Sequence, residues 1–376
     1  MLIRFNVKNF LSFSANEEGK SEEFSMIAGK VRNKNEHTYD DTKIKILKFA
    51  AVYGANAAGK SNLVRAIDFM RHTVVHGLPN GYSNKYCKAD IKNKELASYF
   101  EIEIKLGRQY YAYGYEVVLS TGQFQSEWLI ELTSDNREKV IFERDIVNGV
   151  YKLDGCLKAK EVYEKINNYA EDIQDDEKAL LLTVMNRNKK NFYQRYKGAV
   201  VLRDIYHWMK ENLDVNYPDR PISNYSYMAS LKNVEEVCNM IAAFGTGITN
   251  YQLVEVPPEK VISHFPKEIR EQLISKLENH ITDSKEESDD KQDFGIIMRS
   301  NRDFFILKMK NGEMICQTIQ FEHNSQDVLF ELSEESDGTI RVLDLLEILL
   351  SNEGKTYVVD ELDRCLHPSL TYKYIE

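Results

Sequence analysis

Residues 47–64 read LKFAAVYGANAAGKSNLV. An apolar run from Leu47 to Tyr53 ends abruptly at Gly54. A helical pattern follows Lys60 and Ser61, with Leu63, Ile67, Met70 and Val74 on one face. Strand, glycine loop and helix in that order are the context that the phosphate-binding motif G-x(4)-G-K-[ST] requires. Each residue type has a reason. Gly54 and Gly59 let the backbone turn, so that the N–H groups of Ala55, Asn56, Ala57 and Ala58 face inward at phosphate oxygens, and the helix N-terminus beginning at Lys60–Asn62 adds its partial positive charge. Lys60 has the reach for β- and γ-phosphates, and the Ser61 hydroxyl can ligate Mg²⁺. Without its flanks the motif would be an ordinary glycine-rich turn; with them it reads as the binding site of a nucleoside triphosphate with Mg²⁺.

Composition narrows the class. The chain has 376 residues, enough for two domains or for one domain with an insertion. A hydrophobic content of 43% with 29% charged residues is that of a globular protein, and the net charge of −10 argues against a general nucleic-acid binder. Cys87, Cys156, Cys238, Cys316 and Cys365 are scattered without paired spacing, which suggests reduced thiols and a cytoplasmic protein. The opening MLIRFNVKNF lacks the apolar region of a signal peptide, and no window approaches the ~18 apolar residues of a membrane span.

Outward from the loop, Ile3, Phe5 and Val7 alternate as a strand, and Phe10 and Phe13 read as core rather than as neighbours of a base. His72 and His76 have metal-ligand spacing but no third ligand in reach of the pattern. Residues 99–106 and 110–119 alternate about a Gly107–Arg108 turn and open an antiparallel meander reaching residue 154. Helical spacing dominates 176–186, 200–213, 231–244 and 269–281. Between the first two lies Arg187–Lys197, in which Phe192, Tyr193 and Tyr196 alternate with basic residues. It could stack and charge-pair with single-stranded nucleic acid, or it is a solvated inter-helix segment. Residues 283–293 are acidic and apolar-free, the composition of a loop tip. A hairpin is expected over 303–310 and 314–321.

The C-terminal stretch supplies the other half of the site. Lys355–Val359 is a short apolar strand running into Asp360 and Glu361. Asp360 suits the Mg²⁺ shell and Glu361 can polarise an attacking water. Read alone, the pair is only an acidic turn. No Asn-Lys-x-Asp guanine-reading motif occurs, which favours ATP over GTP. Upstream, Ser336-Asp-Gly338-Thr precedes an apolar helix, 342–350. A serine and a glycine at a helix N-terminus form an anion site, or simply a cap. Residues 54–61 already serve the phosphates of their own chain, so the simplest geometry has Ser336 and Gly338 completing the site of a second copy.

This order resembles the ABC-type ATPase heads of the SMC, RecF and OLD proteins, and within them the stand-alone bacterial AAA family ATPases of abortive-infection and anti-phage systems. The similar pieces are MLIRFNVKNFLSF, FAAVYGANAAGKSNL, Gly245–Ile248, ESDGT and VVDELDRCLHP. The resemblance implies an α/β P-loop head with a mixed core sheet and an antiparallel meander. It implies Mg–ATP sandwiched between two copies, Ser336 and Gly338 on the partner's γ-phosphate, and Asp363 in a loop at the dimer interface. Arg364, His367 and Pro368 fit the last motif. It also implies a further strand bearing a histidine that contacts the γ-phosphate; His367 lies too close to the Asp360 strand to be that residue, which bears directly on hydrolysis.

The expected organisation is a first part of the head (1–154), a mainly helical insertion (155–300) and a second part of the head (301–376). The expected protein is an ATPase that forms an ATP-sandwiched homodimer or higher oligomer, has no membrane partner, and controls a separately encoded effector in anti-phage defence. The alternative is a DNA-clamping repair or chromosome-type ATPase, favoured by Arg187–Lys197 and opposed by the net charge and the lack of a long heptad coiled coil. A transporter ATPase is a weaker third option.

Overall fold

The computed structural model describes residues 1–376 except 15–19, 30–34, 41–43, 134–137, 154–159, 190, 230–233, 263–270, 272–274, 276–294, 311–312, 325–327, 351–353 and 376. The expected helix over 269–281 falls mostly among these exceptions, and the acidic tract 283–293 wholly so. The chain divides into two compact units. One is Met1–Val215 with Glu353–Asp360; the other is Asn216–Asn352 with Glu361–Glu376.

In the first unit, seven strands make one antiparallel sheet. These are β1 (Leu2–Lys8), β2 (Glu22–Ser25), β5 (Ser98–Leu106), β6 (Gln109–Val118), β7 (Gln123–Leu132), β8 (Glu138–Asp145) and β9 (Val150–Leu153), in the order β2-β1-β5-β6-β7-β8-β9. The β5 residues alternate between buried and half-buried, so one face of the sheet carries the core. Helix α1 (Lys60–His76) covers that face with Ile67, Phe69, Met70 and Val74. Phe10 is fully buried there, its ring 4.9 Å from Phe69 and 5.2 Å from Phe100. The chain just after β1 is thereby fixed against the helix that follows the loop.

Gly114 marks the tightest point of the meander. It stands opposite Trp128 in the β6–β7 ladder, and a Cβ there would lie 2.3 Å from the indole and 2.8 Å from the Phe100 carbonyl oxygen. Gly114→Ala is therefore expected to cost about 1–3 kcal/mol through overpacking. A urea unfolding midpoint lowered relative to the parent would report it.

Helices α2 (Lys160–Asp172), α3 (Leu181–Asn186), α4 (Phe192–Arg195) and α5 (Val200–His207) pack onto the same core, α5 passing into a π turn over Trp208–Asn212. Helix α3 begins five residues later than the periodicity of 176–186 predicts. The reason is electrostatic: the carbonyls of Asp176 and Ala179, which the longer helix would use, accept from the buried guanidinium of Arg144, and the Leu181 and Leu182 N–H groups donate to Glu127.

One expectation at the centre of the sequence reading is not met. The apolar run before Gly54 is not a strand beyond Leu47. Strand β4 (Lys45–Leu47) pairs antiparallel with β3 (Thr38–Asp40), and residues 48–54 lie outside any strand. Phe49, Val52 and Tyr53 are 38%, 49% and 82% exposed. A continuous apolar run forms a strand only where ladders flank it and both faces are covered. Here the strand that carries Asp360, Thr356–Val359, pairs with β10 (Leu213–Asn216), and β3 ends its pairing at Leu47. The described residues therefore show an α/β chain whose large sheet is antiparallel, with Thr356–Val359 and β10 in a separate two-stranded sheet.

The second unit has its own antiparallel sheet, β11 (Asn250–Val256), β14 (Glu313–Glu322), β13 (Phe304–Lys310) and β12 (Gly295–Arg299), with β15 (Leu329–Glu331) on β14. The expected hairpin over 303–321 is β13–β14. Strands β10, β11 and β12 all fall within the span 155–300 that reads as mainly helical. Helices α6 (Ser226–Ala229), α7 (Val234–Ala243), α8 (Pro258–Ile262), α9 (Asp337–Leu350) and α10 (Pro368–Ile375) complete this unit. Its main core gathers Tyr225, Val237, Ile241, Phe304, Ile319, Phe321, Leu343 and Leu346.

Candidate functional site

The Gly54–Asn62 loop ends in a helix start that is open to an anion. Gly59, the N-cap of α1, adopts φ 93°, a left-handed conformation that favours glycine, and it offers no side-chain cap. The first turn of α1 carries no acidic residue. The Asn62 and Leu63 N–H groups both bond Gly59 O, at 2.9 and 3.1 Å, which leaves the Lys60 and Ser61 N–H groups facing the loop for an anion. Residues Gly54–Ala58 are exposed, and Ala57 also has a positive φ of 64°.

The turn after β1 braces the end of the loop through Ser12. A Cβ on Gly59 would lie 2.9 Å from the Ser12 hydroxyl, which also accepts from Asn62 Nδ2 at 2.9 Å. The turn after β1 is therefore part of the loop's support, a role the sequence reading did not give to Ser12. Lys60 Nζ donates to the loop's own carbonyls, Gly54 O at 2.7 Å and Ala55 O at 2.9 Å. These are exposed neutral bonds that a phosphate oxygen can replace with a charge-assisted one.

Residues far apart in sequence meet at Ser61. Its Oγ donates to Asp360 Oδ1 at 3.1 Å across a separation of 299 residues. A hydroxyl and a carboxylate at this distance are hard oxygen ligands that fit a Mg²⁺ ion, which keeps several of its waters and takes one or two protein oxygens beside phosphate. Glu361 is the next residue along, exposed and at φ 51°.

The Ser336–Thr339 segment lies in the second unit at the start of α9. Ser336 Oγ accepts the Thr339 N–H at 3.1 Å and sits 2.9 Å from Thr339 Oγ1, so it caps its own helix. The segment is braced on both sides. Arg302 Nη1 donates to Ser333 O at 3.0 Å and its Nη2 pairs with Asp337, while His323 Nε2 lies 2.7 Å from Glu335 Oε1. Gly338 has a packing reason: a Cβ there would be 3.0 Å from the Cys365 carbonyl oxygen. In the following loop the Arg364 guanidinium donates to the Pro218 carbonyl, and His367 Nδ1 lies 2.7 Å from the Ser369 hydroxyl at the start of α10. Asp363 O accepts from Leu366 N–H at 3.0 Å.

Of the rings in Arg187–Lys197, Tyr193 is buried, and Phe192 and Tyr196 are half-buried. Tyr193 donates its hydroxyl to Met185 O at 3.1 Å. Phe192 packs against Tyr169, Tyr193 and Tyr196, and Lys189 lies 3.6 Å over the Tyr169 ring. Lys190 is outside the described residues. The segment contains the short helix α4 and joins α3 to α5. His72 Nδ1 bonds Gly77 O at 3.0 Å, and no metal-holding group of His, Cys, Asp or Glu occurs among the described residues. Among them, too, no helix is long and apolar enough to cross a membrane.

Residues 250–373 match the family described as "AAA domain, putative AbiEii toxin, Type IV TA system". The match covers less than half of the chain. It includes the Ser336–Thr339 segment and the Asp360–Glu361 pair, and lies wholly beyond the Gly54–Asn62 loop. It supports an AAA-type, nucleotide-binding ATPase domain of the kind found with abortive-infection systems. No curated protein matches the chain.

Proposed function

We propose that the chain is an ATPase of ABC-type architecture that binds Mg–ATP at Gly54–Ser61 and Asp360, closes on a second copy, and regulates a separately encoded effector in anti-phage defence. The observation that carries the site is the 3.1 Å contact between Ser61 and Asp360. In this reading the loop N–H groups and Lys60 hold the phosphates. Ser61 and Asp360 hold the metal, which supplies charge neutralisation at the β- and γ-oxygens when bound. Glu361 orients and polarises the water. Ser336 and Gly338 serve the γ-phosphate held by the partner copy, the role for an anion site that one chain does not itself need. The effector and the defence role rest on the family likeness. The burial of Tyr193 and the net charge of −10 disfavour the DNA-clamping alternative.

Light scattering of the Glu361→Gln protein tests this reading. Mg–ATP is expected to double the mass, and Ser336→Arg, introduced into the same protein, is expected to abolish the doubling. A mass unchanged by ATP in a protein that binds it, or doubling that survives Ser336→Arg, would contradict the sandwich.

A further inference from the structure

Arg341 stands one turn into α9, between the capping Ser336 and the apolar stretch that anchors the helix. Its side chain is nearly buried, 7% exposed, which is unusual for a cation. Its Nη2 donates at 2.8 Å to the backbone carbonyl of Glu361. That same carbonyl accepts the Arg364 N–H at 3.1 Å, so both lone pairs are used. The backbone it grips is held in a conformation that side chains rarely adopt: Glu361 has φ 51° and Cys365 φ 62°. Such residues persist where the surroundings over-determine them. Here the surroundings are the start of α9, through Arg341 at Glu361 and through the close approach of Gly338 to Cys365 O.

Asp344 adds an opposite charge near Arg341. Asp344 follows it on α9, 3.4 Å from Arg299 Nη2, and Arg299 lies over the buried Tyr225 ring and donates to its hydroxyl at 2.7 Å. Burial pushes the Asp344 carboxyl up to about 6 against the opposing pull of Arg299. Tyr225, Arg299 and Asp344 thus form one bonded set beside Arg341, whose own hydrogen bond ends on the Glu361 carbonyl.

We infer that Arg341 is a positioning residue that fixes the Glu361 backbone to the helix bearing Ser336 and Gly338. The inference rests on the reading of Glu361 and Ser336 given above, and deepens it. In an ATP-sandwiched dimer, Glu361 serves its own chain's nucleotide while Ser336 and Gly338 serve the partner's. Arg341 then makes movement at one nucleotide felt at the other, through a single hydrogen bond within one chain.

The test uses the full chain with Arg341→Met, which keeps an apolar stem without donors, and Arg341→Lys, which keeps the charge and one donor direction. Amide exchange at Arg364 is expected to rise at least ~fivefold in Arg341→Met, with exchange along the rest of α9 unchanged. Turnover is expected to fall roughly 10- to 100-fold while the Kd for Mg–ATP stays within about twofold, and Arg341→Lys is expected to recover part of the turnover. In a Glu361→Gln background, Arg341→Met is expected to cost no further turnover, a non-additivity that general damage to the fold does not produce. Parental turnover, unchanged exchange at Arg364, or a Kd that worsens in step with turnover would each overturn the inference. If Arg341→Met does not fold, the same comparison on Arg341→Lys decides. If the parent fails to bind ATP, the proposed function falls, and the exchange measurement alone still decides whether Arg341 holds Glu361.

Discussion

Lys60→Ala is expected to weaken Mg–ATP binding about 100-fold while leaving the protein folded. The size follows from the bonds involved. In the structure Lys60 Nζ bonds only neutral carbonyls of its own loop, Gly54 O and Ala55 O, at an exposed position. Exchanging these for phosphate oxygens gains charge-assisted hydrogen bonds worth roughly 1.5–3 kcal/mol each, and about 1.4 kcal/mol is a factor of ten in affinity. The folded state loses little, because no buried group depends on the ammonium. Titration calorimetry of parent and variant, with a thermal melt of each, checks both halves. Equal affinities would remove the loop from the nucleotide site; a collapsed melt would mean that Lys60 is structural.

The second large effect belongs to a pair that no motif marks. Glu127 and Arg144 face each other across the β7–β8 ladder and are both fully buried. Glu127 accepts from Tyr113 Oη at 3.0 Å, Arg144 Nη1 at 2.9 Å, and the Leu181 and Leu182 N–H groups at 2.7 and 3.1 Å. One carboxylate thereby caps α3 and ties the meander to the helices. Burial and the neighbouring carboxylate push the Tyr113 hydroxyl well above its ordinary value, so it remains a donor. Arg144→Leu leaves Glu127 as an uncompensated buried charge, and that typically costs about 3–5 kcal/mol. The double variant Glu127→Leu with Arg144→Leu is expected to be less damaging than Arg144→Leu alone, because it removes both charges together. Urea unfolding of the set measures the coupling. A single variant within about 1 kcal/mol of the parent would show that the pair carries no weight.

The two effects differ in how far the sequence announces them. The helix start at Lys60 was legible because the motif puts glycine and lysine at fixed spacing ahead of a helix, and the strand Thr356–Val359 was legible as an apolar run ending in two carboxylates. The hairpins at 99–119 and 303–321 were legible from alternation alone. Arg144 left only a faint trace, a cation at an inward position of a strand beside Ile141 and Phe142. Ser12 and Arg341 left none, since each acts through a contact made by the tertiary fold. The run 48–53 misled for a related reason. Apolar periodicity reports what a segment can bury, whereas a strand also needs a partner ladder, and the Thr356–Val359 strand pairs with β10 instead. Of the rings of Arg187–Lys197, which spell a stacking surface in sequence, Tyr193 becomes core and Phe192 and Tyr196 pack half-buried at its edge.

In the proposed function the Gly54–Ser61 loop and Asp360 form one Mg–nucleotide site. Its most direct measurement is titration of the full chain with ATP, first with Mg²⁺ and then in excess EDTA, for the parent and for Asp360→Ala. Saturable ATP binding that weakens at least about tenfold in EDTA is expected for the parent, and Asp360→Ala is expected to remove most of that metal dependence. Absence of saturable ATP binding, or a metal dependence that Asp360→Ala leaves intact, would contradict it.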